Sequence, residues 1–490
     1  MRGRHPLRRT VPEAPAHHAE PDSGAVLRRV IRNVFALGAG ELASRLIGFL
    51  CTIYIARQLG IDGYGIIGFA STVVLYAAAV TDFGLEQHGP REVADGRTQI
   101  GTLILSVAAG RLALGLGLAG LMAVAGLLAP QPDGRVLSAY ALVLLPVAVN
   151  VRWVHLGLQR PGIAAAARLL AEGLRLLVLV LTVSDAAHIL RVPLAQFAGD
   201  AAAAVLLLAG IRRSDRLNAR IDPRVALAVF RRASPLLAAA LLAYVIYNSD
   251  VIFLRLLRPV AETGLYLAAY APINLLGVLG IVTVVSLVPA LTTEGRPGGS
   301  AQAVFGDTLL RLASLAVPVA VGGFLLAGPV IELAFGPEYR PAGGVLAILI
   351  WTFPLLILRS VQQAALVAAD ANADVLRTTA WAAAINVGLN FIAVPLFGML
   401  GAATTTLIAE IARFAIAARF ARRLGFRMPP PARFRSTVLA SAVMAAGLLA
   451  TASFSIWIRI AVGAAVVGAV LLLSVATPLA RRQAQPPVAG

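Results

Sequence analysis

From about residue 33 to about residue 477 the chain alternates long apolar stretches with short polar links. A helix rising 1.5 Å per residue needs about 20 mainly apolar residues to cross roughly 30 Å of hydrocarbon. Roughly fourteen stretches approach that length, near 33–56, 65–85, 101–128, 136–157, 163–183, 194–211, 235–256, 264–290, 308–333, 343–368, 376–396, 401–420, 436–454 and 457–478. The pattern predicts an all-α polytopic membrane protein. With the links placed on alternate sides, roughly 28 arginines fall on one side, roughly 7 on the other and roughly 7 within spans. Positive charge is retained in the cytoplasm, so the first side is cytoplasmic, and an even number of crossings puts both chain ends there.

The hydrophobic content of 59% and mean hydropathy of +0.82 suit such a chain and exclude an ordinary soluble domain. A net charge of +18 in a soluble protein would suggest nucleic acid. Here the clusters from Arg212 to Arg232 and from Arg419 to Arg435 lie in links, where topology and anionic lipid headgroups account for them. Cys51 is the single cysteine, so the chain forms neither an internal disulfide nor a cysteine metal cluster. Residues 1–32 carry seven arginines among Pro and His and lack an apolar core of signal-peptide length, so they read as an uncleaved cytoplasmic tail.

The chain also repeats itself at an offset of about 200 residues. The first span leaves the membrane as Ile53-Tyr54-Ile55-Ala56-Arg57 and the chain re-enters through Gly63-Tyr64-Gly65. The seventh leaves as Ile252-Phe253-Leu254-Arg255 and the chain re-enters through Gly264-Leu265-Tyr266. Pro130 and Pro329 mark the outer ends of the third and ninth spans, and the sixth and twelfth run into Arg212-Arg213 and Arg422-Arg423. Six spans separate the partners, so the copies enter the membrane in the same direction, as parallel repeats do. The expected organisation is a tail (1–32), a first lobe (33–232), a second lobe (233–425), two further helices (426–480) and a second tail (481–490). Two six-helix lobes would face each other across a central cavity.

Charges within spans mark candidate sites, because an ionisable group at mid-membrane costs about 2.5–3.5 kcal/mol and turns to a wet cavity or a partner. Arg45, Arg111 and Arg175 each lie about 11 to 13 residues from the cytoplasmic start of their span, near one depth, and all belong to the first lobe. They are the candidate contacts for an anionic substrate. Glu41 and Glu172 stand four and three residues before Arg45 and Arg175, where an internal ion pair is the competing reading. Arg111 has no acid in its own span. At matching depth the second lobe offers Asp250, Asn248, Asn386 and Asn390, so a cationic wall would face a neutral or acidic one. Asp250, with Glu41 and Glu172, is a candidate for ion coupling, against the plainer reading of an acid hydrogen-bonded to Asn248 or Tyr247. Glu410 and Arg413 read as a structural pair, and Arg359 as a side chain reaching toward headgroups.

Several runs resemble the polysaccharide transporter family, the bacterial flippases of lipid-linked oligosaccharides. They are Ala56-Arg57-Gln58-Leu59-Gly60 through Gly65, Asp82-Phe83-Gly84-Leu85, Trp153-Val154-His155-Leu156-Gly157-Leu158-Gln159, Thr263-Gly264-Leu265-Tyr266, Phe335-Gly336-Pro337-Glu338-Tyr339 and Pro395 through Ala403. The resemblance covers about 33 to 425. It implies fourteen helices in two six-helix bundles plus two terminal helices, located in the inner membrane, moving an undecaprenyl-diphosphate-linked glycan by alternating access. Ser44-Arg45-Leu46-Ile47-Gly48-Phe49 is similar to the related lipid II flippase family. That family has basic residues where Cys51 and Tyr270 stand here, so its diphosphate site carries over only at Arg45.

Among alternatives, a glycan polymerase or ligase needs a large outer loop, whereas the longest outer link, near Ser184 to Pro193, is about ten residues against the usual short connection. A multidrug exporter of the same fold would favour acids in its cavity. His88, His155 and His188 lack metal-ligand spacing, and without lysine a phosphate-binding loop for ATP is impossible, so neither an enzyme nor a cofactor is expected. The expected partners are a lipid-linked glycan as substrate, membrane lipids, and a polysaccharide polymerase or other assembly proteins, with no nucleic acid.

Overall fold

A computed structural model describes residues 23–96, 98–211, 219–293 and 299–483. Arg212 and Arg213, and most of the 1–32 tail, lie outside these residues. Among the described residues the chain is helical and contains no strand. Ten helical stretches are long and apolar enough to cross a membrane. Two of them hold a pair of spans each: Gly60 (φ 69°) and Gly398 (φ 56°) break them with left-handed backbone that a side chain would oppose. With the charge-rich Pro161–Thr182 and the short apolar Ile456–Leu472, the helical runs follow the fourteen expected spans. Large apolar side chains such as Leu121, Leu127, Phe391, Leu396 and Leu439 stand exposed on the outer surfaces, as a lipid-facing belt requires. This is a multi-pass membrane protein.

Boundaries differ at two places. The first helix begins at Ser23, ahead of the expected 33. The seventh runs unbroken from Pro223 to Leu257, started by Asp222, whose carboxylate accepts from Arg224 N at 2.8 Å. The basic residues Arg224, Arg231 and Arg232 are therefore helical and not part of a loose link.

The repeat is visible as repeated interruptions. The second span (61–82) stops at the left-handed Phe83 and Gly84 and resumes as Leu85–Asp95, while the eighth stops at Gly277 and resumes as Val278–Thr293. The fourth span breaks at Asn150 and the tenth at Ile350 and Trp351, about 200 residues later. Two six-helix lobes thus face each other, and Arg435–Ala450 and Ile456–Gln483 pack beside the ninth helix, Ser300–Leu325.

The apolar core shows where the lobes meet. One cluster unites Cys51, Ile55, Leu59 and Tyr64 of the first lobe with Leu265, Phe335, Tyr339 and Leu349 of the second. At the opposite end the lobes keep separate cores, one around Leu103, Trp153 and Leu207 and one around Leu291, Phe305 and Val361. Polar contacts follow the same division. Arg57 donates to Leu333 O (2.6 Å) and Ala334 O (2.8 Å), Tyr339 Oη donates to Ala56 O (2.9 Å), and Arg255 pairs with Asp133 (2.6 Å). The second and eighth helices cross there at Gly65 and Gly264, where a Cβ would meet Val260 O at 2.5 Å and Ile61 O at 2.2 Å. The lobes are sealed at this end and keep separate cores toward the end where the first described helix starts at Ser23 and the last stops at Gln483.

Candidate functional site

Between the lobes lies a cavity in three communicating compartments. Leu75 lines all three, and Arg45, Arg168, Glu172, Tyr244 and Asn248 each line two. The two first-lobe compartments have volumes of about 440 and 410 Å³, and the one against the second lobe about 640 Å³.

Arg45 and Arg175 share a compartment and both side chains remain partly exposed. Arg45 Nε donates to Glu41 Oε1 at 3.0 Å, one helical turn back. Arg175 lies 3.8 Å from Glu172 Oε2, too far to donate to it, and makes no hydrogen bond to any described residue. A third guanidinium joins them: Arg168, two helical turns before Arg175, stands 3.4 Å from Glu41 Oε2 and lines both first-lobe compartments. It was overlooked because its depth places it near the end of its span, and only the splay of the lobes brings it into the cavity.

Arg111 is placed otherwise than expected. It lies in the wall of a different compartment from Arg45 and Arg175, is 2% exposed, and has its acid on a neighbouring helix, since Nη2 donates to Asp82 Oδ1 at 3.2 Å. Nε donates to Thr81 O (3.2 Å), Nη1 to Asn150 O (2.7 Å) and Nη2 also to Val147 O (2.6 Å). Those carbonyls border the breaks in the second and fourth spans. A broken helix frees carbonyls that lipid cannot satisfy, and the planar guanidinium ties both breaks together. Arg152, after the fourth-span break, pairs with Glu86.

The first-lobe wall is therefore not simply cationic. Arg45, Arg111, Arg152, Arg168 and Arg175 are interleaved with Glu41, Asp82, Glu86, Glu172 and Asp200, the last from the sixth helix, Arg191–Ala209. Sequence reasoning weighed acids only within the arginines' own spans and so missed Asp82 and Asp200.

The second lobe also departs from expectation. Asp250 does not face the arginines. It is fully buried, accepting from Tyr266 Oη (2.6 Å), Thr406 Oγ1 (2.5 Å) and Asn390 Nδ2, while Asn386 Oδ1 accepts from Ser249 (2.9 Å) and Asn390 (3.1 Å). Asn248 and Tyr247 are not its partners. Arg359 does not reach the headgroups: it is 7% exposed, 3.4 Å from Glu410 Oε2, and donates to Gln363 (3.1 Å) and Tyr247 Oη (3.3 Å). Arg413 donates to the same Tyr247 Oη (2.7 Å) and to Glu410 Oε1 (3.3 Å). Two arginines share one glutamate, so this wall is neither neutral nor acidic. The ion pair crosses from the tenth helix to the twelfth, a proximity that spacing along one helix cannot reveal.

The motif at 153–159 packs helices. Trp153 lies against Gly89, Gly157 against Pro90 and Val93, and the buried His155 donates from Nε2 to Leu207 O at 2.8 Å beside Gly210.

Comparisons with known proteins agree with this architecture. The fold is similar to that of a lipid II flippase, MurJ, in an inward closed conformation, at 12% identity and a TM-score of 0.72, over 89% of this chain and 98% of that one. It is similar to an inward-facing multidrug resistance MATE family transporter of the MOP superfamily (15% identity, TM-score 0.56, 78% and 95% of the two chains). It is also similar to a MOP superfamily transporter from Pyrococcus furiosus (13%, 0.55, 85% and 96%). No curated protein sequence matches the chain. A family model described as polysaccharide biosynthesis protein matches residues 30–293. Since that match spans more than half of the sequence and takes in the whole first lobe and its arginine-lined cavity, the chain belongs to the polysaccharide biosynthesis protein family.

Proposed function

We propose that the protein is a flippase that carries an oligosaccharide repeat unit, linked to a polyprenyl diphosphate, across the bacterial inner membrane by alternating access for cell-surface polysaccharide assembly. The observation that carries this reading is Arg175 within the cavity, partly exposed and without a hydrogen bond to any described residue. An arginine with unused donors inside a membrane is costly. Phosphate oxygens match its planar fork, and Arg45 and Arg168 add two further guanidinium groups in the same compartment. The carboxylates beside them hold the arginines in place between substrates and yield when a diphosphate enters.

With arginine-rich links and both termini cytoplasmic, the cavity opens to the cytoplasm, where a lipid-linked repeat unit is made, and the sealed end faces outward. Release requires the outer seal at Gly65, Gly264, Arg57 and Tyr339 to part. Asp250 is the ion-coupling candidate: a fully buried carboxylate that accepts from the Tyr266 and Thr406 hydroxyls and the Asn390 amide, with no arginine against it, suits uptake of a proton, or of a small cation that displaces those donors. Glu41 and Glu172 would act on the arginines directly.

The test is reconstitution into liposomes with a fluorescent polyprenyl-diphosphate-linked glycan, alongside an organic cation. Translocation of the glycolipid that Arg175→Ala abolishes is expected. Transport of the cation alone would favour an exporter of the same fold and sink the proposal.

A further inference from the structure

The compartment against the second lobe differs in chemistry from the other two. It is lined by Tyr244, Tyr247 and Tyr270, by Asn248 and Asn274, and by Arg359 with Glu410. Part of this lining is tied up, Tyr247 Oη by Arg359 and Arg413 and the Asn248 amide by Tyr244 O, and part is not. The exposed Asn274 amide and the Tyr244 and Tyr270 hydroxyls make no hydrogen bond to any described residue, whereas Glu410 Oε2 is held 3.4 Å from Arg359. At about 640 Å³ it falls in the range of about 300–1,000 Å³ that holds a drug-sized ligand. Arg45, Asn248 and Asn274 lie on the boundary, lining this compartment and the arginine-rich one alike.

We infer that this second-lobe compartment is a glycan subsite that reads the sugar rings attached to the diphosphate. A pyranose presents an apolar C–H face and a rim of hydroxyls that both donate and accept. Tyrosine rings offer surfaces for the face, and amides, hydroxyls and a carboxylate beside an arginine offer both halves of each hydrogen bond to the rim. An organic cation finds no free negative charge here, because Glu410 is shared by Arg359 and Arg413. A bare anion is better served by Arg168 and Arg175 across the cavity. A diphosphate seated on Arg45 and Arg175 would direct its first sugar into this compartment, so the first lobe holds the carrier and the second recognises the cargo. This assignment rests on the flippase reading, and the following experiment separates the two.

Binding of polyprenyl diphosphate, and of the same lipid carrying a disaccharide, is measured by native mass spectrometry on the purified full chain and its variants. The wild type is expected to bind the glycosylated lipid on the order of tenfold or more tightly than the bare one, the yield of about two neutral hydrogen bonds. In a Tyr244→Phe, Tyr270→Phe double variant, which removes two hydroxyls of this compartment, keeps the ring packing and leaves the lining around Arg45 and Arg175 intact, that preference should vanish while bare-lipid affinity holds. Arg175→Ala should weaken both lipids alike. A wild type that does not distinguish the lipids, or a double variant that keeps the full preference, overturns the subsite and leaves the flippase reading standing. A wild type that binds neither lipid overturns both.

Discussion

The glycine crossing at the sealed end lends itself to a quantitative test. In Gly65→Ala the new methyl would sit 2.5 Å from Val260 O and 3.1 Å from Gly264 N. Both are backbone atoms, so no side chain can swing aside and the second and eighth helices must separate. Overpacking of this kind costs about 1–3 kcal/mol. The strain exists only while the lobes are closed, so it acts as a coupling energy that moves the closed-to-open ratio about 5- to 150-fold toward open. Gly117→Ala is the control: its Cβ would meet nothing within 4 Å, and it carries the same gain in helix propensity of about 1 kcal/mol. On a Cys51→Ala background, Tyr64→Cys reports opening, because Tyr64 is 6% exposed and packs edge to face on Tyr339 at 6.4 Å beneath the seal. An impermeant thiol reagent outside intact cells should label it faster in the Gly65→Ala variant by a factor within that range, and at the parental rate in the Gly117→Ala control. Equal labelling in both well-folded variants would show that the crossing does not gate the cavity, and the outer seal would then rest on Arg57, Arg255, Tyr339 and the shared apolar cluster.

Arg111→Ala should damage the fold before it touches transport, because it strips a buried ion pair and strands carbonyls at two helix breaks. A loss of about 3–5 kcal/mol is expected, read as reduced yield and a lowered melting temperature, and an Ala variant as stable as wild type would refute the clamp. Arg45→Ala and Arg175→Ala should fold normally yet lose about 10- to 150-fold in affinity for a polyprenyl diphosphate, the worth of about 1.5–3 kcal/mol for a charge-assisted hydrogen bond; unchanged binding would remove them from the site. Asp250→Asn should alter the sodium or proton dependence of translocation with expression intact, and an unchanged dependence would reduce Asp250 to a packing group. Labelling of a cysteine at Arg224 from outside intact cells would contradict the proposed orientation; none is expected.

The amino-acid sequence by itself determined the spans, the parallel repeat and the family, because apolar length and period are local properties that a membrane enforces segment by segment. It also singled out Arg45 and Arg175, which the structure places in one compartment of the cavity, since a charge within a span stands out against its neighbours. Partnership across helices was beyond its reach. Arg111 looked unpaired because Asp82 lies 29 residues away in the chain, Arg359 looked free because Glu410 is on the twelfth helix, and Asp250 seemed to face a cavity when Tyr266, Asn390 and Thr406 enclose it. In a bundle, a buried charge finds its counter-charge on whichever helix packs against it, and that choice is made by the splay of the lobes and the breaks at Gly84 and Asn150. Only the tertiary structure decides which polar groups are consumed in holding the bundle together and which remain free to meet a substrate.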